Sequence, residues 1–305
     1  MLPLRLAVGL CVQAGPALIV CRGAETEHAP LDQRQLRERC IQILQRELHE
    51  NSSWLKVHAA EGLLEHNLSD GIASLFKAEL TNAAPPYHIG VLRVLAVADR
   101  AEKQSHVSQI RATFADLGSP ARVHATETLA KLGAGTLLDI PLIEEWLRDA
   151  SARDAAYLYW LLATAPIAER RESVLDQLAG LLRSPDETAR LRAAYALARI
   201  KPLTPSSLAA LDEQLAQEPP QSAALPYIIA ARAQHTPPSS PQYQKLISSL
   251  LQFASSGTTA QKYEILPLLG RLQVREALPI MVQQLGATES DARIGAANGL
   301  LHLLP

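Results

Sequence analysis

Ala189-Arg190-Leu191-Arg192-Ala193-Ala194-Tyr195-Ala196-Leu197 decides the reading of this chain, because the same stretch returns elsewhere. Trp54-Leu55-Lys56-Val57-His58-Ala59-Ala60-Glu61-Gly62-Leu63 has its form. So do Ala121-Arg122-Val123-His124-Ala125-Thr126-Glu127-Thr128-Leu129 and Ala292-Arg293-Ile294-Gly295-Ala296-Ala297-Asn298-Gly299-Leu300. In each, an aliphatic residue follows a Lys or Arg, a small residue stands three places after the basic one, and leucine seven places after it. The basic residues fall at 56, 122, 190 and 293, so the gaps are 66, 68 and 103. These are two, two and three units of roughly 34 residues. Weaker copies run from Tyr87 to Leu95, Arg153 to Leu161, Ala223 to Ala231 and Lys262 to Leu269, and bring the total to eight.

Between the copies lie segments of a second kind. Ile140-Pro141-Leu142-Ile143-Glu144-Glu145-Trp146-Leu147 and Leu278-Pro279-Ile280-Met281-Val282-Gln283-Gln284-Leu285 each place a proline near the start and apolar residues on one helical face. That is an amphipathic helix with a defined entry. Ser184-Pro185-Asp186, Lys201-Pro202 and Thr236-Pro237-Pro238 mark short loops, and Ser52-Ser53 and Ser119-Pro120 are N-cap candidates. Pro226 and Pro267 fall inside second helices, where they are expected to kink the stack. Leu31 to Glu50 reads as a first helix and N-terminal cap. Leu300, Leu301, Leu303 and Leu304 predict an apolar end, a surface for a short lost tail or for a partner.

A proline-led helix, a short turn and then [KR]-[VIL]-x-[AG]-[AT]-x-x-L resembles the HEAT repeat, in particular the short bacterial HEAT-like repeats of the phycobilisome-lyase type. The resemblance covers roughly residues 31 to 305. It implies an all-α fold, a right-handed α-α superhelix or solenoid of about eight helix pairs, with the second helices along the concave face. One pair cannot bury both of its apolar faces, and stacking joins the leucine and alanine stripes into a continuous core. The motif speaks for architecture and says little about activity. Deoxyhypusine hydroxylase, a HEAT-like enzyme, holds iron with adjacent His-Glu pairs on its repeats. Here Ala follows both His58 and His124, and the one His-Glu dyad, His49-Glu50, sits at a helix end.

Composition agrees with a helical scaffold. Apolar residues are 48% and aromatics only 4%, a set rich in alanine and leucine that suits packed helices and not strands. With 29 Lys+Arg against 31 Asp+Glu and no basic cluster, nucleic acid is not an expected partner. Cys11, Cys21 and Cys40 form neither a disulfide framework nor a CxxC site, and Cys40 reads as core. Met1 to Arg5 and the apolar run Leu6 to Val20 have the form of a signal peptide, too short to span a bilayer comfortably. This divides the chain into a signal segment, 1–24, and one solenoid, 25–305. The expected place is the periplasm or envelope, with Cys21 a lipidation candidate because Leu18-Ile19-Val20-Cys21 resembles a lipobox.

The candidate site is a polar stripe. Residues at i, i+3 and i+7 share a helix face, which aligns His58, Glu61 and Glu65, then His124, Glu127 and Lys131, then Arg192, Tyr195 and Arg199. The expected ligand residues are His58, Glu61, His124, Glu127 and Tyr195 of this stripe, with Tyr87 and His88 between the first two copies. Neighbouring helices pack about 8–10 Å apart, so His58 and His124, two repeats apart, are too distant to share a metal ion at bonds of about 2 Å. No catalytic motif, cofactor motif or metal site stands out. The leading reading is a non-catalytic scaffold whose concave face takes a protein, peptide or glycan. An enzyme or metal-dependent binder using the His/Glu stripe, and a purely structural spacer, are the alternatives.

Overall fold

The computed structural model describes residues 32–305, so Cys11, Cys21 and the signal-peptide expectation lie outside the described residues. Every repeat copy becomes the second helix of an antiparallel pair. The first, outer helices are α1 (Gln33–Glu50), α3 (Ile72–Leu80), α5 (Lys103–Ala115), α7 (Ile140–Leu147), α9 (Arg171–Gly180), α11 (Pro205–Gln217), α13 (Pro241–Ser256) and α15 (Leu278–Gln284). The inner helices are α2 (Ser53–Glu65), α4 (Tyr87–Ala98), α6 (Arg122–Lys131), α8 (Ala152–Thr164), α10 (Glu187–Leu197), α12 (Leu225–Ala233), α14 (Thr259–Arg271) and α16 (Ser290–Leu303). The described residues hold no strand, and the all-α expectation stands.

Local chemistry sets the helix starts. Asp186 accepts from the backbone N–H groups of Thr188 and Ala189 to cap α10, and Thr258 caps α14 with a reciprocal bond from Gln261, each satisfying otherwise unpaired first-turn donors. Pro141 and Pro279 sit in the first turns of α7 and α15, where the missing N–H costs nothing. Pro226 is not interior as expected, because α12 begins at Leu225 and places it in the first turn as well. Pro267 is inside α14.

The chain does not form the open array that the repeat suggests. Inner helices pack in succession, α2 on α4 and so on to α14 on α16, and α16 packs in turn on both α1 and α2. One apolar core therefore joins the two ends of the sequence: Leu44, Val57 and Leu63 share a cluster with Leu266, Leu300 and Leu304. Leu300, Leu301, Leu303 and Leu304 are all buried, so the expected exposed end is covered by α1 and α2. The described residues form a ring of eight helix pairs.

The recurring basic residue explains how neighbours are joined. Lys56 on α2 pairs with Glu79 at the end of α3, the outer helix of the next pair. Arg190 on α10 makes 2.9 Å and 3.0 Å bonds to Glu218 at the end of α11 and also donates to the Ser184 carbonyl. Arg122 on α6 finds Trp146 at the same place on α7 and lies 3.7 Å from its ring centroid. Arg293 on α16 repeats the move across the closure, with its Nε 2.7 Å from Glu47 on α1 and its guanidinium on the Ala287 carbonyl. Burial pushes the Glu47 carboxyl up, and Arg293, Ser290 and Asn51 outweigh it and hold the group below the usual carboxylate range. The first and last pairs are thus stapled like interior neighbours.

Packing is closest between α14 and α16. A Cβ on Gly295 would lie 2.8 Å from Tyr263 Cα, and one on Gly299 would lie 2.5 Å from the Leu266 carbonyl oxygen. Only glycine lets these two backbones approach so far.

Candidate functional site

Inner helices all run the same way, so the stripe residues sort by their height in the ring. His58, Glu61, His124, Glu127 and Tyr195 all line one cavity of about 320 Å³ at the end where the inner helices begin. Glu65, Lys131, Arg199 and Asn298 line a second of the same size at the other end. Glu61, Arg93, Lys131, Tyr195, Tyr263 and Glu264 border both cavities and form the waist between them. Tyr87 is turned outward, where its hydroxyl donates to Glu79 beside Lys56. His88 is half-buried in the first turn of α4 and lines neither cavity.

The waist is built from ion pairs within and between the inner helices. Arg93 pairs with Glu61 on the preceding inner helix and donates to Thr128 on the following one at 3.3 Å. Lys131 holds Glu127 at 2.9 Å one helical turn away. Arg199 on the loop after α10 reaches Glu264 on α14 at 2.7 Å. Burial pushes the Glu127 carboxyl up, but Lys131 and Arg93 outweigh it and hold the group at about 2. Glu61 is held below its usual value by Arg93, Lys131 and His58 against the same burial. These carboxylates stay charged and tied.

Aromatic rings surround the first cavity, and most of them have a face occupied. Trp54 stacks on His124 with centroids 5.8 Å apart and an interplanar angle of 25°. His58 stacks on Tyr263 at 4.2 Å while its Nδ1 meets Asp291 of α16 at 2.7 Å. Arg199 covers Tyr195 at 3.5 Å and Arg192 covers Tyr157 at 4.8 Å. By contrast, the hydroxyls of Tyr157, Tyr195, Tyr227 and Tyr263 have no hydrogen-bond partner among the described residues, and burial raises all four phenols above their ordinary value. The buried Nδ1 of His124 is also without a partner.

Closure of the ring adds a polar seam. Glu65 accepts from Asn298 and Arg271, both at 2.9 Å, and approaches His302 at 3.1 Å. His66 meets the Asn298 amide oxygen at 2.8 Å.

The sequence stripe therefore finds five of its seven candidate ligand residues around one cavity and misses others. Arg93 stands five places after His88, as Glu61 and Glu127 stand after Lys56 and Arg122. Glu264 stands two places after Lys262, as His58 and His124 stand after Lys56 and Arg122. Register alone could have found both. Tyr157, Tyr227 and Tyr263 had no such signal, because only the curvature of the ring brings them to the same opening.

Among the described residues, no group of three His, Cys, Asp or Glu side chains is placed to hold a metal ion, and no helix is long and apolar enough to cross a membrane. No protein-family model, curated protein or solved structure matches the chain.

Proposed function

We propose that this chain is a non-catalytic binding protein, a HEAT-like repeat protein whose second helices hold a small polar ligand inside the ring. What carries this reading is the cavity at the start of the inner helices. Side chains from α2, α4, α6, α8, α10, α12, α14 and α16 converge on about 320 Å³, and polar atoms left without partners face that space. The buried Nδ1 of His124 has no hydrogen-bond partner, which costs about 1–3 kcal/mol, and the four tyrosine hydroxyls bond to no other described residue, so an occupant that bonds to these groups is favoured. The volume lies at the lower end of the range for small-ligand pockets. It suits a small glycan, a peptide end or another compact polar molecule, and leaves no room for a folded partner. The carboxylates are already neutralised by cations, which argues for holding rather than for acid–base chemistry.

We also propose export, on the Leu6–Val20 run followed by small residues at 23 and 24; a mature N-terminus mapped near residue 25 in the secreted protein supports it, and an intact Met1 in the cell interior overturns it.

The binding reading is tested by thermal shift against pools of polar metabolites, with the parent and an Ala260→Trp variant that places an indole in the cavity mouth. A pool that raises the melting temperature of the parent and not of the variant supports the site. If no pool shifts the parent, or if both proteins shift equally, the cavity is not a binding site.

A further inference from the structure

The free and the occupied parts of the cavity wall differ, and the difference points to a ligand class. This inference rests on the binding reading above.

Three of the four tyrosines already have a ring face covered, by Arg199 on Tyr195, Arg192 on Tyr157 and His58 on Tyr263. Charge is also committed, Glu61 to Arg93, Glu127 to Lys131 and Glu264 to Arg199, and Asp291 is hydrogen-bonded to His58. These pairs are half-buried, and a charged ligand finds its counter-charges already matched, so it would have to compete with one of these pairs for its partner. What the wall leaves open is different. Four phenolic hydroxyls each offer a donor and an acceptor, and each paired carboxylate keeps oxygen lone pairs beyond those its cation uses. A neutral molecule dense in hydroxyls can bond to all of these without displacing a cation or uncovering a ring.

We propose that this cavity recognises a neutral polyhydroxylated ligand, a mono- or disaccharide, through the hydroxyls of Tyr157, Tyr195, Tyr227 and Tyr263. The four side chains come from consecutive inner helices α8, α10, α12 and α14 and line the same opening. None of the four hydroxyls bonds to another described residue, and each keeps some exposure to solvent, which a ligand hydroxyl replaces in the complex. Removing one of these hydroxyls therefore weakens binding and leaves folding untouched, which separates a recognition group from a structural one.

The test uses the full chain and two variants, Tyr195→Phe and Tyr263→Phe. Calorimetry is run with glucose, galactose, mannose, N-acetylglucosamine, maltose and cellobiose, and with glucosamine and glucuronate as charged counterparts of the same size. At least one neutral sugar is expected to bind, with affinity falling three- to tenfold for each hydroxyl removed and the melting temperature of the ligand-free variants equal to that of the parent. Tyr227→Phe is a further variant should either of the others fail to fold, and the same fall in affinity is expected. If none of the neutral sugars binds, or if a charged sugar binds more tightly than its neutral counterpart, the saccharide assignment is wrong. A drop of several degrees in the ligand-free melting temperature of the Phe variants would also sink it, because the hydroxyls would then serve the fold. A metabolite pool that stabilises the parent but not Ala260→Trp, together with silence from every neutral sugar, would leave the binding reading standing and remove this one.

Discussion

If the ring is closed, residues 62 and 298 can be joined by a disulfide although they stand 236 positions apart (298 less 62). A Cβ built on Gly62 lies 3.8 Å from the Cβ of Asn298, the mean separation in natural disulfides of about 3.8 Å. Its tightest other neighbour is the Leu44 Cδ2 methyl at 3.3 Å, the far end of a side chain that can turn away. The test protein carries Gly62→Cys and Asn298→Cys in a background with Cys11→Ser, Cys21→Ser and Cys40→Ala. In the reduced form, loss of Asn298 removes its bonds to Glu65 and His66 at 2.9 Å and 2.8 Å, a cost of about 2–4 kcal/mol. Oxidation constrains a loop of more than 200 residues, worth about 5 kcal/mol by chain entropy. Spread over the unfolding entropy of 274 described residues (305 less 31), at ~2.1 cal/mol/K each, this raises the melting temperature by about 9 °C over the reduced form. Peptide mapping under non-reducing conditions identifies the cross-link, and melting with and without reductant gives its effect. Thiols that stay free and reactive under oxidation, or links that form only between molecules, would show that α2 and α16 are not neighbours and refute the ring.

Other outcomes follow from the same contacts. Gly295→Ala is expected to destabilise by about 1–3 kcal/mol or more, since its Cβ meets backbone on α14 that cannot step aside. Gly180→Ala, where a Cβ meets nothing within 4 Å, should gain about 0.5–1 kcal/mol; chemical denaturation of the two reads opposite signs. Arg190→Met leaves Glu218, whose side chain is 0% exposed, without its cation, and a loss of about 3–5 kcal/mol is expected; an unchanged denaturation midpoint would contradict it. Acid should act in two stages. Burial keeps His66 and His124 below their ordinary value, so the unfolded chain takes up those protons first and stability falls as pH drops below about 6.5. Glu127, held at about 2, keeps its contribution above its ordinary value of 4.5 and loses it as pH falls from there toward 2. A melting temperature flat from pH 7 to pH 3 would count against both. Burial pushes the Cys40 thiol up to about 12, so it should stay silent to thiol reagents until the protein unfolds.

How much of this was written in the sequence depends on distance along the chain. The pairing of outer and inner helices is local, and Pro141, Pro279 and the Arg190 to Leu197 spacing specify it within a few tens of residues. The Gly295-Gly299 approach to α14 involves adjacent pairs, and the small residues were visible though their closeness was not. Closure was not legible. It depends on the curvature accumulated over eight pairs, which no single repeat displays, and Arg293 looks the same whether its carboxylate is Glu47 or solvent. The site shares this limit. His58, Glu61, His124 and Glu127 could be placed on one face from periodicity, whereas their meeting with Tyr263 and Asp291 waits on the two ends of the chain coming together.

The closure also settles how such a molecule can change length. An open stack can gain or lose a unit at its end, and the remaining contacts are undisturbed. Here eight pairs share one full turn, and the bond from Arg293 to Glu47 has the same form as that from Lys56 to Glu79. Deleting any pair would strand two apolar edges that no longer face each other, and inserting one would oblige every neighbour to bend less. Repeat number is therefore not free to drift. The ring's arithmetic holds each unit in the count, however faint its own sequence has become.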